Sequence, residues 1–354
     1  MFGIPEPLVQ IIAFIYTDRE FVVQDAGVKS DLHPQCFGIS QGCPLSSLLF
    51  VIVMTVLTHD AKQKLCQELG VQLSDSVAAH DLLYADNTLV IDVSGQNAQQ
   101  YVNCVSDIGA EYGLSFHWRR LEVLPVQTVA AAQKPDGSYV TEKDAMVYHG
   151  SMLSTTNRTG PELGRRIGME QFDFNTLSRV CSHASISRAR RLQVFDACIS
   201  SKLAYGLHAA YLNKAEGRRL DGFQARCLKR IFGIPPSFLS RVTSKFVLEQ
   251  SGVQKFSAML RRQQLQLLAA IARRGPGDIL RDIVFLPGTC RLGTSDAPRR
   301  RGRPRITWAQ AVFQDAISAA GGPNSLEALF QSTTAARKVW EAVVKTYCEL
   351  DANS

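Results

Sequence analysis

Residues 81–92 read DLLYADNTLVID, and this short stretch decides the fold of the first part of the chain. Both of its ends are apolar, whereas Ala85, Asp86 and Asn87 interrupt the run in the middle. Two short apolar runs around a polar centre predict two strands that are joined by a tight turn. The pattern therefore places one carboxylate, that of Asp86, at the tip of a hairpin.

A second informative stretch lies upstream, where residues 38–50 read GISQGCPLSSLLF. The first half is typical of a loop, and Pro44 favours the turn into a helix that continues through the apolar run 45–57. We expect this helix to be buried, with Ser46 or Ser47 as its N-terminal cap.

Two residues of that loop have properties that suit a substrate or a template. Gly42 lets the backbone come close to a ligand because it has no side chain. Gln41 can both donate and accept hydrogen bonds at the edge of a base or sugar. Taken alone, however, a Gly and a Pro before an apolar run more often mark a plain start of a helix.

The other elements of the first half alternate between helices and strands. Helical spacing of apolar residues predicts helices at 6–16 and 96–112, and short apolar runs predict strands at 21–23, 114–126 and 148–153. Together with the hairpin, this order predicts an α+β fold in which helices pack against an antiparallel sheet.

Beyond residue 159 the pattern becomes mostly helical. The predicted helical segments are 163–212, 239–248, 260–272, 308–320 and 325–347. The chain is therefore expected to divide into an α+β region, a helical region, and a C-terminal helical region with a basic loop. Their predicted bounds are 1–155, 156–250 and 251–354, with the basic loop at 299–305.

Composition narrows the class of protein. The 354 residues include 39 Lys and Arg against 32 Asp and Glu, and the net charge of +7 suits a polyanionic partner such as nucleic acid. The nine cysteines form no CxxC pair and no zinc spacing with His, so we expect reduced cysteines and no structural zinc. The first apolar run is shorter than about 20 residues, so we expect an intracellular protein without a membrane partner.

The two stretches described first resemble the QGxxLSPxLF and YADD motifs of reverse transcriptases, in the same order. The later segments GLSFHWRRLE at 113–122 and YHGSML at 148–153 are similar to further segments of the non-LTR retrotransposon enzymes, and the second resemblance implies a hairpin that grips the primer strand. The resemblance spans about residues 2–308 and implies a partial polymerase palm followed by a helical thumb. It also implies an RNA template, a DNA primer, deoxynucleotides and Mg²⁺ or Mn²⁺.

The resemblance assigns roles to individual residues. Asp86 and Asn87 take the catalytic positions, with Asp86 as the metal ligand. The positions that would contact substrate or template are Gln41, Gly42, Pro44, Ser46, Tyr84, Arg120 and Gly150. In the thumb, Arg165 and Arg166 would follow nucleic-acid phosphates, although a solvated basic face explains them about equally well.

One departure from the family pattern bears on activity. Asn87 stands where the family has a second aspartate, and the family's first metal-binding aspartate has no counterpart before Phe21. Two-metal nucleotide transfer needs several carboxylates, and Asp92 would lie about 20 Å from Asp86 along a strand. We therefore expect a truncated palm with no polymerase activity by itself.

The segment RGRPR, with Arg301, Arg303 and Arg305, permits three interpretations of equal weight. It resembles an AT-hook, whose arginines enter a narrow minor groove. It also resembles a nuclear localisation patch, which would make the protein nuclear, or it is an exposed basic linker.

Three functions stay open on this basis. In the first, the chain is an inactive reverse transcriptase remnant that binds nucleic acid. In the second, it is an active polymerase that works with a separately supplied upstream half. The third is a domesticated nucleic-acid-binding protein that uses the Arg-rich thumb and the RGRPR tail.

Overall fold

The computed structural model of the chain describes residues 3–36, 38–39, 42–70, 80–156, 158–181, 186–293 and 306–353. It divides into two compact units, residues 1–142 and residues 143–354. Both helices and small sheets are present, so the α+β class is confirmed. The three regions predicted at 1–155, 156–250 and 251–354 stay a prediction.

The first unit contains three helices, eight short strands and a 3-10 turn among its described residues. They are α1 (Glu6–Tyr16), β1 (Glu20–Phe21), β2 (Gln24–Asp25), β3 (Val28–Lys29), β4 (His33–Pro34), α2 (Pro44–Leu69), β5 (His80–Tyr84), β6 (Asn87–Ile91), α3 (Gly95–Glu111), the 3-10 turn (Trp118–Arg120), β7 (Glu122–Val123) and β8 (Thr141–Glu142).

The core of this unit lies between α2 and α3. Ala61 and Leu65 are four residues apart and therefore share one face of α2, where they pack on Tyr101 and Cys104 of α3. Val90 of β6 packs against the same cluster, which attaches the hairpin to the two helices. Burial raises the pKa of the Cys104 thiol to about 11, as expected for a thiol among apolar side chains.

The N-terminal half of α2 is more exposed than predicted. Leu48 and Val51 are 59% and 55% exposed, and the buried apolar face begins at Leu57. The prediction of a buried helix over 45–57 is therefore wrong for this half, because the packing partner α3 covers only the later turns. By length and composition alone, α2 could cross a membrane, but this is weak support because core helices of soluble proteins pass the same test.

The strands of the first unit form pairs rather than one sheet within the described residues. Strands β1 and β4, β2 and β3, and β5 and β6 pair antiparallel, and β7 and β8 pair in parallel. Of the strand predicted at 21–23, only Phe21 lies in a strand, β1, and the strand predicted at 114–126 is reduced to β7. In the second case the 3-10 turn occupies the middle of the predicted strand.

The second unit opens with a hairpin and continues as helices. Its elements are β9 (Ala145–Tyr148), β10 (Ser151–Ser154), α4 (Thr159–Cys181), α5 (Arg188–Phe195), a π-helical turn (Asp196–Ser200), α6 (Ser201–Ala204), a 3-10 turn (Leu207–Ala209), α7 (Lys214–Phe232), α8 (Ser237–Ser240), α9 (Ser244–Ser251), α10 (Phe256–Ala272), α11 (Ile279–Val284), α12 (Trp308–Ala320), α13 (Pro323–Leu329) and α14 (Thr334–Asn353).

Helix α10 joins two apolar clusters in this unit. Its first turns, with Phe256 and Leu260, pack in a cluster with α4, α5, α7 and α9. Its later turns, with Leu265 and Leu268, pack on α11 to α14 around the buried Trp340. The mostly helical character predicted beyond residue 159 is thus confirmed.

Side chains of α7 fix the start of α10. Asp221 accepts hydrogen bonds from the backbone N–H and the hydroxyl of Ser257, at 2.8 and 2.6 Å. Gln224 is fully buried, and it donates to the carbonyl of Gln254 and accepts from the N–H of Phe256. These bonds satisfy backbone groups that a helix start leaves without partners.

Several sequence expectations fail in the second unit, where the helices predicted at 163–212 and 239–248 are each divided. The run 148–153 is not one strand, because His149 and Gly150 form a turn with positive φ between β9 and β10. The helix expected at 325–347 is interrupted between α13 and α14, where Ser332 donates to the carbonyl of Arg273 at 3.4 Å.

Glu170 of α4 provides a test of this core. It is 5% exposed, and its Oε2 has no hydrogen-bond partner among the described residues. Burial, and then the charge of Asp173, raise the pKa of Glu170 above its usual 4.5. Because the folded state holds this proton more tightly than the unfolded chain, the free energy of unfolding falls as pH rises above about 4.5.

We expect Glu170→Gln to remove this part of the pH dependence. The variant should be more stable than the native chain by about 1 kcal/mol at pH 7, and the difference should vanish near pH 4. Urea unfolding at several pH values measures it. A difference that is constant across the pH range would contradict the assignment to Glu170.

Candidate active site

The hairpin of β5 and β6 presents Asp86 and Asn87 at its tip, as predicted from the sequence. Tyr84 pairs with Asn87 across the turn, so Ala85 and Asp86 form a two-residue connection. Ala85 has φ 52°, a left-handed conformation that tight hairpin turns require and that alanine rarely adopts. Tyr84, Asp86 and Asn87 are all exposed, so the carboxylate is open to a ligand.

The base of the same hairpin is held by a carboxylate that was not singled out from the sequence. Asp81 has a 6% exposed side chain, forms an ion pair with Lys62 of α2, and accepts a hydrogen bond of 3.0 Å from the hydroxyl of Tyr101 in α3. Burial, and then the charge of Asp81, raise the pKa of Tyr101. Asp81 therefore fixes the hairpin to both helices. The signal in the sequence was an acidic residue within an otherwise apolar strand.

Asp92 lies at the other end of the hairpin from Asp86. It follows β6, and its Oδ1 accepts the N–H of Ser94 at 2.7 Å in the turn that leads into α3. Ser94 in turn caps α3 by accepting the N–H of Asn97. Asp92 thus belongs to the turn before α3, in agreement with the prediction that it does not substitute at the tip.

The donor set at the tip does not fit a two-metal centre. Asp86 supplies one carboxylate and Asn87 one neutral amide oxygen, whereas two divalent ions need several charged oxygen ligands. Within the described ranges, no group of three or more His, Cys, Asp and Glu side chains could hold a metal ion. The roles predicted for Mg²⁺ or Mn²⁺ at Asp86 therefore stay predictions.

The Gln-Gly motif precedes α2. Gly42 has φ 87°, which requires a residue without a Cβ, and Pro44 occupies the first position of the helix. Gln41 lies outside the described residues. The N-cap is Cys43, without a side-chain hydrogen bond, so the prediction of Ser46 or Ser47 as the cap is wrong. Pro44 fixes the start of the helix, so the cap lies three residues before Ser46.

Ser46 is buried rather than open to a template. It is 3% exposed, and its hydroxyl shares a hydrogen bond of 3.0 Å with that of Tyr16 in α1. This contact favours a role in holding α1 against α2. Backbone N–H groups of Ser46 and Leu45 lower the pKa of the half-buried Cys43 thiol, as is typical of a thiol at the start of a helix.

Arg120 is an exposed residue at the end of the 3-10 turn. Its N–H donates to the carbonyl of His117 at 2.8 Å, and the neighbouring rings of Phe116 and Trp118 meet edge to face. The side chain is therefore accessible to an anion, as the predicted phosphate contact requires.

The remaining predicted positions lie in the second unit. Gly150 has φ 76° in the turn between β9 and β10, and its carbonyl accepts from Arg165 at 2.8 Å and from Arg166 at 3.0 Å. Arg166 is 5% exposed, and it also donates to the carbonyl of Tyr205 and to Ser151. Both guanidiniums form ion pairs with Glu162. Because the Arg166 guanidinium is buried, its contacts favour a structural role for Arg166.

Glu162 is the charge that balances the two arginines. Burial acts to raise the pKa of its carboxyl, but hydrogen bonds from Arg165 and Arg166 outweigh burial and hold it below its usual value. Phosphate contacts by Arg165 and Arg166 stay a prediction. The partly exposed side chain of Arg165 is more accessible to a phosphate than the buried side chain of Arg166. Arg301, Arg303 and Arg305 lie outside the described residues.

Comparison with known protein families agrees with the hairpin and the Gln-Gly motif. Residues 1–132 match the family described as reverse transcriptase (RNA-dependent DNA polymerase). The match includes α1 to α3, the hairpin with Asp86, and Arg120, and it ends before the β9–β10 hairpin. The family acts on RNA or DNA templates with deoxynucleotides and in general uses divalent metals. The first 132 residues of this chain are therefore similar to the reverse transcriptase family.

Proposed function

We propose that the chain is a reverse transcriptase derivative of the non-LTR retrotransposon kind, which binds nucleic acid and does not add nucleotides by itself. The observation that carries the proposal is the exposed turn of the hairpin. There Asp86 is followed by Asn87, so the tip offers a single negative charge.

The charge at the tip decides the chemistry. Phosphoryl transfer gains most of its rate from positioning and from neutralising the charge of the triphosphate, which two ions about 3.5–4 Å apart supply. One carboxylate and one amide do not hold two such ions. Net positive charge and the exposed Arg120 still support binding to phosphates.

Primer extension on an RNA template, with Mg²⁺ or Mn²⁺, tests the proposal. We expect no incorporation by the native chain and none by Asn87→Asp alone. Incorporation should need both Asn87→Asp and a separately supplied palm segment that bears the family's first aspartate. Asp31→Asn, which alters another exposed carboxylate of the same unit, is the matched control.

Extension by the native chain that is lost in Asp86→Ala but not in Asp31→Asn would overturn the proposal. In the same samples, fluorescence anisotropy with a labelled primer–template should report binding that weakens steeply with salt. Binding that does not change between 50 and 200 mM salt would contradict the phosphate contacts.

The second candidate is an active enzyme assembled with another polypeptide. Apolar side chains on the hairpin favour it, since Leu82 and Ile91 are 52% and 49% exposed and β5 pairs only with β6 among the described strands. An added strand would cover such a surface. Incorporation by the native chain after addition of the palm segment, without Asn87→Asp, would favour this candidate.

The third candidate is a domesticated binding protein that docks through the RGRPR segment at 301–305. Deletion of residues 299–305 should abolish binding if this candidate is right. Binding that survives the deletion and is weakened by Arg120→Ala would favour contacts from the first unit instead.

A further inference from the structure

The second unit contains a cavity of about 690 Å³ that none of the functions above uses. It lies between the β9–β10 turn, the π-helical turn, the 3-10 turn and α10, and its lining includes Tyr205, Met259 and several polar side chains. Cavities of this size, with apolar walls and a few polar groups, are typical of small-molecule sites.

Two polar atoms in this cavity lack partners among the described residues. Ser200 is 3% exposed, and its hydroxyl makes no hydrogen bond. The Oε1 of Gln263 is also buried and accepts none. Both residues line the cavity. Buried polar groups are nearly always paired in proteins, so two such atoms around one cavity point to a ligand with matching groups.

The backbone around Ser200 supports a binding role. Residues Asp196–Ser200 form the single π-helical turn of the described chain, and such turns occur often at functional sites. The turn places both Asp196, which is exposed, and Ser200 on the lining. Arg166 holds two other lining residues in place, because it donates to the carbonyl of Tyr205 and to the hydroxyl of Ser151.

The chemistry of the polar groups selects the ligand. A carboxylate accepts only, an amide oxygen accepts only, and a hydroxyl does both, so Asp196, Gln263 and Ser200 call for a ligand edge rich in N–H donors. The lining includes His149 and His208 but no Lys or Arg, so no permanently charged cation faces a phosphate there. Tyr205 and Met259 provide surfaces on which a flat ring can pack.

We propose that this cavity binds a guanine base, whose ring N–H and exocyclic amine form adjacent donors on one edge. The base comes either from free guanosine or from an unpaired guanine in single-stranded RNA, which proteins read by its exposed edge. Asp196 accepts from the donor edge, Gln263 Oε1 accepts a further N–H, and Ser200 supplies the remaining hydrogen bond.

Isothermal titration calorimetry on the full chain, without metal or primer, tests the proposal. We expect guanosine to bind, inosine to bind at least about tenfold more weakly because it lacks the exocyclic amine, and adenosine not to bind measurably. Single-stranded oligouridine with one guanine should bind more tightly than oligouridine alone if RNA is the source. Equal affinity for these two strands, with guanosine binding intact, would assign the site to the free nucleoside.

Variants of the lining provide the second arm. Asp196→Asn should weaken guanosine at least about tenfold, and Ser200→Ala several-fold, because each removes a partner of the base. Ser201→Ala is the matched control, since Ser201 lines the same cavity but its hydroxyl already donates to the carbonyl of Ala197 at 2.5 Å. Circular dichroism melts confirm that the variants fold.

Three results would overturn the proposal: no binding of any nucleoside, equal binding of guanosine, inosine and adenosine, or equal loss in Ser200→Ala and Ser201→Ala. Because the titration needs no catalysis and no primer–template, its failure leaves the proposed function untouched. Failure of the primer-extension prediction likewise leaves the guanine site standing.

Discussion

Arg166→Ala should lower the free energy of unfolding of the second unit by about 3–5 kcal/mol, measured by urea unfolding. The substitution leaves the 8% exposed carboxylate of Glu162 with one guanidinium instead of two. It also removes the Arg166 donor to the carbonyl of Tyr205 and one of the two donors to the carbonyl of Gly150. Loss of one partner of a buried charge is costly because the remaining charge keeps its desolvation penalty.

Arg165→Ala is the matched control, since it deletes a guanidinium one residue away that also binds Glu162. The side chain of Arg165 is 28% exposed, so we expect a loss of about 1 kcal/mol at most. Losses of equal size in the two variants would contradict the structural role of Arg166.

The same pair of variants separates the two roles considered for these arginines. If Arg165 contacts phosphate, its removal should weaken binding to primer–template and reduce the dependence of affinity on salt. We expect Arg166→Ala to change affinity only as far as it unfolds the second unit. The sequence RR at 165–166 does not show which arginine has which role. Neighbouring helical residues point in different directions, and only the fold shows which side chain is buried.

Local signals predicted several elements well. Helical spacing placed α1 at 6–16 and α12 at 308–320, with the bounds that the structure has. The polar interruption in DLLYADNTLVID placed the turn with Asp86 and Asn87. In these segments the local pattern and the tertiary packing favour the same structure, which is where sequence reasoning is most reliable.

Other features depend on contacts that a local pattern does not contain. The local pattern alone did not show the turn at His149 and Gly150, because a histidine with φ 46° gives no signal of a turn. Only the resemblance implied a hairpin there. Ser46 looked like a cap, but Pro44 moves the start of the helix and Tyr16, 30 residues away, takes up the Ser46 hydroxyl. The cavity with Ser200 and Gln263 joins residues 63 positions apart in sequence.

Asp81→Ala should destabilise the first unit by about 3 kcal/mol and loosen the hairpin that carries Asp86. The change removes the acceptor of the fully buried Tyr101 hydroxyl and leaves Lys62 without its ion-pair partner. We expect faster amide hydrogen exchange in β5 and β6, because Asp81 links this hairpin to both α2 and α3. Mass spectrometry of exchanged peptides and urea unfolding measure both effects.

The exposed ion pair between Lys64 and Asp107 supplies the matched control, because it joins the same two helices at 2.6 Å. Asp107 is 61% exposed, so Asp107→Ala should cost no more than about 0.5 kcal/mol and leave exchange in the hairpin unchanged. Asp81→Asn keeps an acceptor for Tyr101 and should lie between the two. If Asp81→Ala and Asp107→Ala behave alike, the hairpin is held by Val90 and its apolar neighbours rather than by this carboxylate.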